Sequence, residues 1–217
     1  MTADDLVADI GPVAHINGMA NRRSGVTAKE LLAELATDPV YQAMRSERDA
    51  ELAEIAERRA REQQPLLSDL SAAGVTVDWV GRLLETPDPE ESIYAVLLDH
   101  LTKPYSPWLL EWIGRAFGRK PARPVVWDTL VKLLKAHALE GPATDGVMAS
   151  ISEMAQPSDL ATLIELISDQ SLGVGRIFLV QNLMRSKKPE ARATLLRLQD
   201  DPDVAKEITA RLSRRPS

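Results

Sequence analysis

The chain of 217 residues contains no cysteine, which excludes disulfide bonds, thiol catalysis and zinc sites built from cysteine ligands. Aromatic residues make up only 4% of the sequence although hydrophobic residues make up 44%, so the apolar content is mostly Leu, Ala, Val and Ile. Such a composition favours helices over β-sandwiches, which depend on aromatic and β-branched side chains. We therefore expect an all-α fold.

Long hydrophobic runs are also missing from the sequence. No stretch approaches the roughly 20 apolar residues that a membrane-spanning helix needs. The first residues, MTADDLVADIG, are acidic and lack the basic region of a signal peptide. These features, with the lack of cysteine, predict a cytoplasmic protein that has no membrane partner. Residues 1–26 show little apolar periodicity, and their Asn-Gly and Ser-Gly pairs predict a flexible tail.

Catalytic signatures are missing as well. The three histidines, His15, His100 and His137, lie far apart in the sequence, and there is no G-x-S-x-G or Walker A motif. We expect His100 and His137 to end helices, where a histidine can bond the last carbonyls. The segment GVGR at 173–176 lacks a following Lys-Ser/Thr, which predicts close packing at a helix start rather than phosphate binding. Capping is the expected role of Asp200-Asp201. The sequence predicts no enzyme, no cofactor and no metal site.

Helix-start signals divide the first part of the chain. Thr27 and Glu30 form a predicted capping box, and Asp38-Pro39 gives an N-cap followed by proline at the first helical position. The second helix is expected to run to about Gln64 with a narrow apolar stripe and a charged surface. Pro65 is expected to kink or restart it, and Gly74 to end the following segment. With a short helix at 77–85, residues 27–86 form a predicted helical arm or cap.

Prolines mark the starts of the later helices, because proline in the first turn loses no helical hydrogen bond. The predicted starts are Asp88-Pro89, Ser106-Pro107, Arg123-Pro124, Gly141-Pro142, Gln156-Pro157, Lys188-Pro189 and Asp201-Pro202. They leave short connections and helices of roughly 10–15 residues, near the usual length.

A repeated apolar phrase runs through residues 87–217. Its four copies begin at Val96-Leu97, Thr129-Leu130, Thr162-Leu163 and Thr194-Leu195, with separations of 33, 33 and 32 residues. A second phrase precedes each later copy, so each unit is predicted to be two helices. A unit of this size cannot bury both apolar faces alone, which favours stacking of successive units.

The repeat resembles the short HEAT-like repeats of bacterial proteins over about residues 88–213. The residues that carry the resemblance are SPWLLEWIGRAFGRKPARPVVWDTLVKLL, GVMASISEMAQPSDLATLIELI and VGRIFLVQNLMRSKKPEARATLLRL. The resemblance implies a right-handed α-solenoid of helix pairs, which we take as the fold of 87–217, with the long helix as an N-terminal arm. An irregular helical bundle is the alternative.

Positive charge is concentrated in one repeat. The net charge of the chain is −6, but residues 103–138 hold 7 Lys/Arg and 2 Asp/Glu. We name this set of cations the basic island: Arg115, Arg119, Lys120, Arg123, Lys132 and Lys135. With Trp108 and Trp112, which share a helix face, it is the candidate partner-binding site. The alternative is that Trp108, Trp112 and Trp127 are core residues and that Glu111–Arg115 and Asp128–Lys132 are local ion pairs.

Three functions remain open at this point. A non-catalytic protein–protein interaction module, of adaptor or immunity type, is the leading hypothesis because solenoids commonly hold other proteins. HEAT-like repeats also build alkylpurine DNA glycosylases, so nucleic-acid binding or repair is the alternative, although the acidic balance argues against it. The third is a helper subunit that uses the 39–64 helix as an oligomerisation or docking arm; the alternative for that helix is packing against the first repeat of its own chain.

Overall fold

The computed structural model describes residues 27–86 and 90–213, and this part of the chain is helical with no β-strand. It contains α1 (Ala28–Thr37), α2 (Pro39–Ala72), α3 (Ser92–Leu101), α4 (Pro107–Ala116), α5 (Arg123–Lys135), α6 (Pro142–Met154), α7 (Leu160–Ser168), α8 (Ile177–Arg185), α9 (Pro189–Arg197) and α10 (Ala205–Ser213). Short 3-10 helices lie at Val80–Leu84, Lys120–Ala122, Pro157–Asp159 and Gln170–Arg176. The all-α prediction is confirmed. The predicted tail 1–26 and the Asp88-Pro89 helix start lie outside the described residues.

The chain divides into two compact units, Met1–Ile55 and Ala56–Ser217. The predicted division into an arm at 27–86 and a repeat domain at 87–217 stays a prediction. In the first unit, the Thr27–Glu30 capping box begins α1 as predicted, and Asp38 accepts hydrogen bonds from the backbone of Val40 and Tyr41 at the start of α2. No residue of α1 is buried.

The helix α2 continues through Pro65 to Ala72, so the expectation that the helix restarts there is wrong. Proline inside a helix costs about 3 kcal/mol because it removes a hydrogen bond and crowds the preceding turn. Leu66 and Leu70 are fully buried directly after Pro65. Burial of two leucines stabilises by about 3–6 kcal/mol and offsets that cost.

Gly74 ends α2, as predicted. Its φ is +95°, and two hydrogen bonds close the helix end, from Gly74 N to Ser71 O at 3.0 Å and from Val75 N to Leu70 O at 2.9 Å. This is the Schellman arrangement, in which a left-handed glycine satisfies the last carbonyls. The short helix expected at 77–85 is a 3-10 helix over Val80–Leu84.

Four of the predicted proline starts are confirmed at the beginnings of α4, α5, α6 and α9. Pro157 instead opens a 3-10 turn that leads into α7. The Asp201-Pro202 start is wrong, because α10 begins at Ala205. The Asp201 side chain is held by a buried arginine, as described below.

In the second unit, helices that are neighbours in the sequence pack on one another. Helix α4 contacts α6, α6 contacts α8 and α8 contacts α10, while α3, α5 and α7 contact α4, α6 and α8, respectively. The crossing of α4 and α6 is close because both helices carry glycine there. A Cβ at Gly114 would lie 2.8 Å from Val147 N, and one at Gly146 would overlap the carbonyl oxygen of Glu111. The core between these helices is built mainly from leucine, isoleucine, valine and methionine.

Candidate interaction surface

The basic island does not form one free cationic patch, because most of its members bond to other parts of the protein. Arg115 donates two hydrogen bonds to Glu111 at 2.8 and 2.9 Å, which is the predicted local pair. Its guanidinium also lies 5.1 Å from the ring centre of Phe178 on α8. Arg119 donates to the carbonyl oxygens of Leu83 and Thr86.

Arg123 and Lys135 likewise bind the next segment of the chain. Arg123 donates to Asp159 Oδ1 at 2.8 Å and stands 4.0 Å over the ring of Trp127, with only 18% of its side chain exposed. Lys135 donates to Glu165 at 2.6 Å. These cations join helices that belong to successive copies of the repeated phrase, so their first role is structural.

Two of the exposed cations of the basic island have no ion-pair partner in the described part of the chain. Lys120 and Lys132 are exposed and form no ion pair with any residue that the structure describes. The predicted local pair between Asp128 and Lys132 is therefore not formed within 4.0 Å in the structure.

The two tryptophans of the candidate site are partly buried and pack against the core. The guanidinium of Arg59 lies 4.7 Å from the ring centre of Trp108. Trp112 meets Trp79 edge to face, with ring centres 4.8 Å apart. Trp112 also borders a shallow cavity of about 270 Å³ between α4, α6 and α8. The structure thus brings the rings into the helix packing, and the role of the eight residues in partner binding stays a prediction.

His100 is fully buried, and its partners differ from those expected. Its Nδ1 lies 2.8 Å from the Tyr105 hydroxyl, and its Nε2 lies 2.9 Å from Asp69 Oδ2 and 3.0 Å from Lys103 Nζ. The ring therefore joins α2 to the end of α3 instead of bonding helix carbonyls. His137 does end α5, through a backbone φ of +49°, and its Nδ1 lies 3.2 Å from the Ser171 hydroxyl.

A buried arginine, which sequence reasoning missed, organises the end of the chain. Every N–H group of Arg176 is used: it donates to Gly173 O, Ile167 O, both carboxylate oxygens of Asp201 and Asp203 Oδ2, at 2.7–3.1 Å. Its side chain is 0% exposed, and that of Asp201 is 3% exposed. The Arg176 hydrogen bonds hold the pKa of Asp201 below its ordinary value. The expectation that Asp201 acts only as a cap is therefore incomplete, although it also accepts from Asp203 N at 3.0 Å.

The pKa of Asp145 is shifted in the opposite direction to that of Asp201. Burial, with a smaller contribution from the nearby Glu111 carboxylate, raises the pKa of Asp145 above its ordinary value. The close packing predicted at GVGR is found here, because a Cβ at Gly175 would overlap the Asp145 side chain.

An open groove between α8 and α9 is the second feature that sequence reasoning missed. It has a volume of about 660 Å³. Its apolar lining is Leu183, Met184, Leu195 and Leu196, and its cations are Lys187, Lys188 and Arg192. Leu183 and Leu195 are buried, whereas Leu196 is 53% exposed. Residues 184–197, MRSKKPEARATLLR, have a net charge of +4. This cationic segment was the signal in the sequence that pointed to the groove.

Within residues 27–86 and 90–213, no group of three His, Asp or Glu side chains is placed to hold a metal ion. No helix of that part of the chain is long and apolar enough to cross a membrane. No family model, curated protein or solved structure gives a significant match to this chain.

Proposed function

We propose that the protein is a non-catalytic protein–protein interaction module, built as a right-handed α-solenoid of HEAT-like helix pairs. The observation that carries the proposal is the succession of contacts from α4 to α6, α8 and α10, in which α4, α6 and α8 each also contact the helix that precedes them in sequence. In a stack of this kind every unit contacts only its neighbours, and the stacked helices present a long surface to a partner.

Polar contacts between helices of successive predicted units support the same proposal. Ser150 donates to the carbonyl oxygen of Gly114, Ser152 donates to that of Phe178, and Arg123 binds Asp159, at separations of 36, 26 and 36 residues. Bonds of this kind join each predicted unit to the next. They favour an ordered stack over a bundle in which distant segments mix.

An adaptor or an immunity-type protein fits a small acidic chain that is built to hold another protein. Nucleic-acid binding or DNA repair, the alternative, needs a continuous cationic groove. Arg115 binds Glu111, Arg123 binds Asp159 and Lys135 binds Glu165, so the basic island offers few cations to phosphates. The structure therefore favours the protein partner.

Affinity capture tests the proposal. The full chain, immobilised through a C-terminal tag, is incubated with a native lysate of the cells that produce it, at several salt concentrations. We expect one protein to be retained in stoichiometric amount and to co-elute with the chain in size-exclusion chromatography. Absence of any stoichiometric protein at every salt concentration would overturn the proposal.

Two further measurements separate the alternatives. A mobility-shift titration with duplex DNA at low salt is expected to give no complex, and tight binding that weakens steeply with salt would favour the nucleic-acid function.

Light scattering of the full chain and of a chain without residues 1–64 tests the proposed docking arm. A dimer that is lost on deletion supports a role of the 39–64 helix in dimerisation, whereas a dimer that persists after deletion, or a full chain that is a monomer, contradicts it.

A further inference from the structure

We propose that the groove between α8 and α9 binds an acidic, apolar segment of a partner protein. This inference rests on the proposed function, and it assigns the partner surface to the α8–α9 groove rather than to the basic island.

The apolar part of the groove favours a peptide. Leu183 and Leu195 form its base, and Met184 is 9% exposed beside them. Leu196 stands at the edge with 53% of its surface exposed. A volume of about 660 Å³ admits several side chains of a bound segment. Covering Leu196 with leucine or similar side chains removes its apolar surface from water, which is the main source of affinity in such grooves.

The charges around the groove define the partner further. Lys187, Lys188 and Arg192 are exposed, and none of them forms an ion pair with a residue in the described part of the chain. In contrast, Arg115, Arg123 and Lys135 of the basic island each have a carboxylate partner. The groove therefore presents three cations that form no ion pair in the described part of the chain, although the net charge of the chain is −6.

Carboxylates of a partner would complement these cations, and complementary charge raises the association rate and excludes basic competitors. A phosphate backbone would satisfy the cations but would leave Leu196 uncovered. A segment that carries acidic and apolar side chains together satisfies both parts of the groove. An amphipathic helix with leucines at i, i+3 and i+4 and glutamates on its flanks has this chemistry.

The test uses the full chain and a fluorescent peptide of about four helical turns with that leucine and glutamate pattern. Fluorescence anisotropy compares the wild type with the double variant Lys187→Glu/Lys188→Glu. The matched control is Lys29→Glu/Lys206→Glu, which reverses two exposed cations that line neither the groove nor the basic island. A second peptide has lysine in place of each glutamate, and Leu196→Ser tests the apolar contact.

We expect the acidic peptide to bind the wild type and the control alike, and to bind the Lys187/Lys188 variant about tenfold more weakly. Leu196→Ser should weaken binding as well, and the lysine peptide should not bind. Equal losses in the control and the groove variant, or no binding at about 50 mM salt, would overturn the proposal. Circular dichroism of each variant checks that it is folded.

The lysate experiment separates this inference from the proposed function. If the Lys187/Lys188 variant no longer captures the partner that the wild type captures, and the acidic peptide displaces that partner, the groove assignment is supported. If the variant retains the partner, the protein is an interaction module that binds through another surface. If the wild type captures no partner, the proposed function itself fails.

Discussion

Replacing Asp201 by asparagine should destabilise the protein strongly, because Asp201 receives a bidentate pair from a fully buried arginine. The two bonds, from Arg176 Nη1 to Oδ2 and from Nη2 to Oδ1, are 2.9 and 3.0 Å long. Hydrogen bonds to charged groups are worth about 1.5–3 kcal/mol each, and removing one partner of a buried ion pair costs about 3–5 kcal/mol. Asparagine keeps one acceptor oxygen for Arg176, and Asp203 still accepts a hydrogen bond from Arg176. We therefore expect the free energy of unfolding to fall by about 3 kcal/mol.

Urea unfolding followed by circular dichroism measures this loss. With a slope of about 2–3 kcal/mol per molar urea, the midpoint should fall by about 1 M. Asp200→Asn is the matched control, because Asp200 is the adjacent carboxylate, is exposed and has no ion-pair partner in the described chain. We expect the control to stay within about 0.5 kcal/mol of the wild type.

The pH dependence gives an independent check. Arg176 lowers the folded-state pKa of Asp201, so the stability it contributes is present above the unfolded-state pKa of about 4. It is lost as the pH falls through the lower folded-state pKa. The difference between wild type and Asp201→Asn should therefore be constant at neutral pH and shrink in acid. An Asp201→Asn protein within about 1 kcal/mol of the wild type at pH 7 would refute the reasoning.

Three further substitutions test the local structure by urea unfolding. Gly146→Ala should lose about 1–3 kcal/mol, because its methyl group would overlap the Glu111 carbonyl oxygen, although helix propensity alone predicts a gain of about 1 kcal/mol; a gain would contradict the close crossing. Gly74→Ala should lose about 1–2 kcal/mol to its left-handed backbone, since nothing lies within 4 Å of the added carbon; an unchanged midpoint would refute this. Asp145→Asn should be more stable than the wild type at neutral pH, because the pKa of Asp145 is raised by burial. The difference should shrink as the pH falls through that folded-state pKa, and a pH-independent difference would argue against the assignment.

Local signals in the sequence were sufficient for many helix ends. The Thr27–Glu30 capping box, the prolines at the starts of α4, α6 and α9, and the glycine after α2 act within one turn of the chain. Their partners are three or four residues away, so spacing alone identifies them. The composition, with few aromatic residues and an apolar content of mostly Leu, Ala, Val and Ile, likewise predicted an all-α chain.

The helix restart at Pro65 and the helix start at Asp201-Pro202 were predicted wrongly because longer-range interactions prevailed. Burial of Leu66 and Leu70 carries α2 past its proline. Asp201 is held by Arg176, 25 residues earlier, and the following helix starts later. Neither interaction has a signature at the position where it changes the structure.

The candidate site shows the same division. The cations of residues 103–138 can be read directly from the sequence. Their ion-pair partners cannot, because Lys135 and Arg123 bind carboxylates that lie 30 and 36 residues away. The α8–α9 groove was not predicted, because a cluster of lysines is common on solvated surfaces. The absence of ion-pair partners for Lys187, Lys188 and Arg192 around an apolar base is a property of the folded chain.

The amino-acid sequence by itself determined the helical class, most helix starts and the spacing of the repeated phrase, because these depend on periodicity and on hydrogen bonds within one turn. Only the tertiary structure decided which charges are paired, that Arg176 is buried with all its donors satisfied, and that unpaired cations surround the exposed Leu196. The reason is that burial and ion pairing depend on distances between segments about one repeat apart, and such distances exist only after the helices have packed.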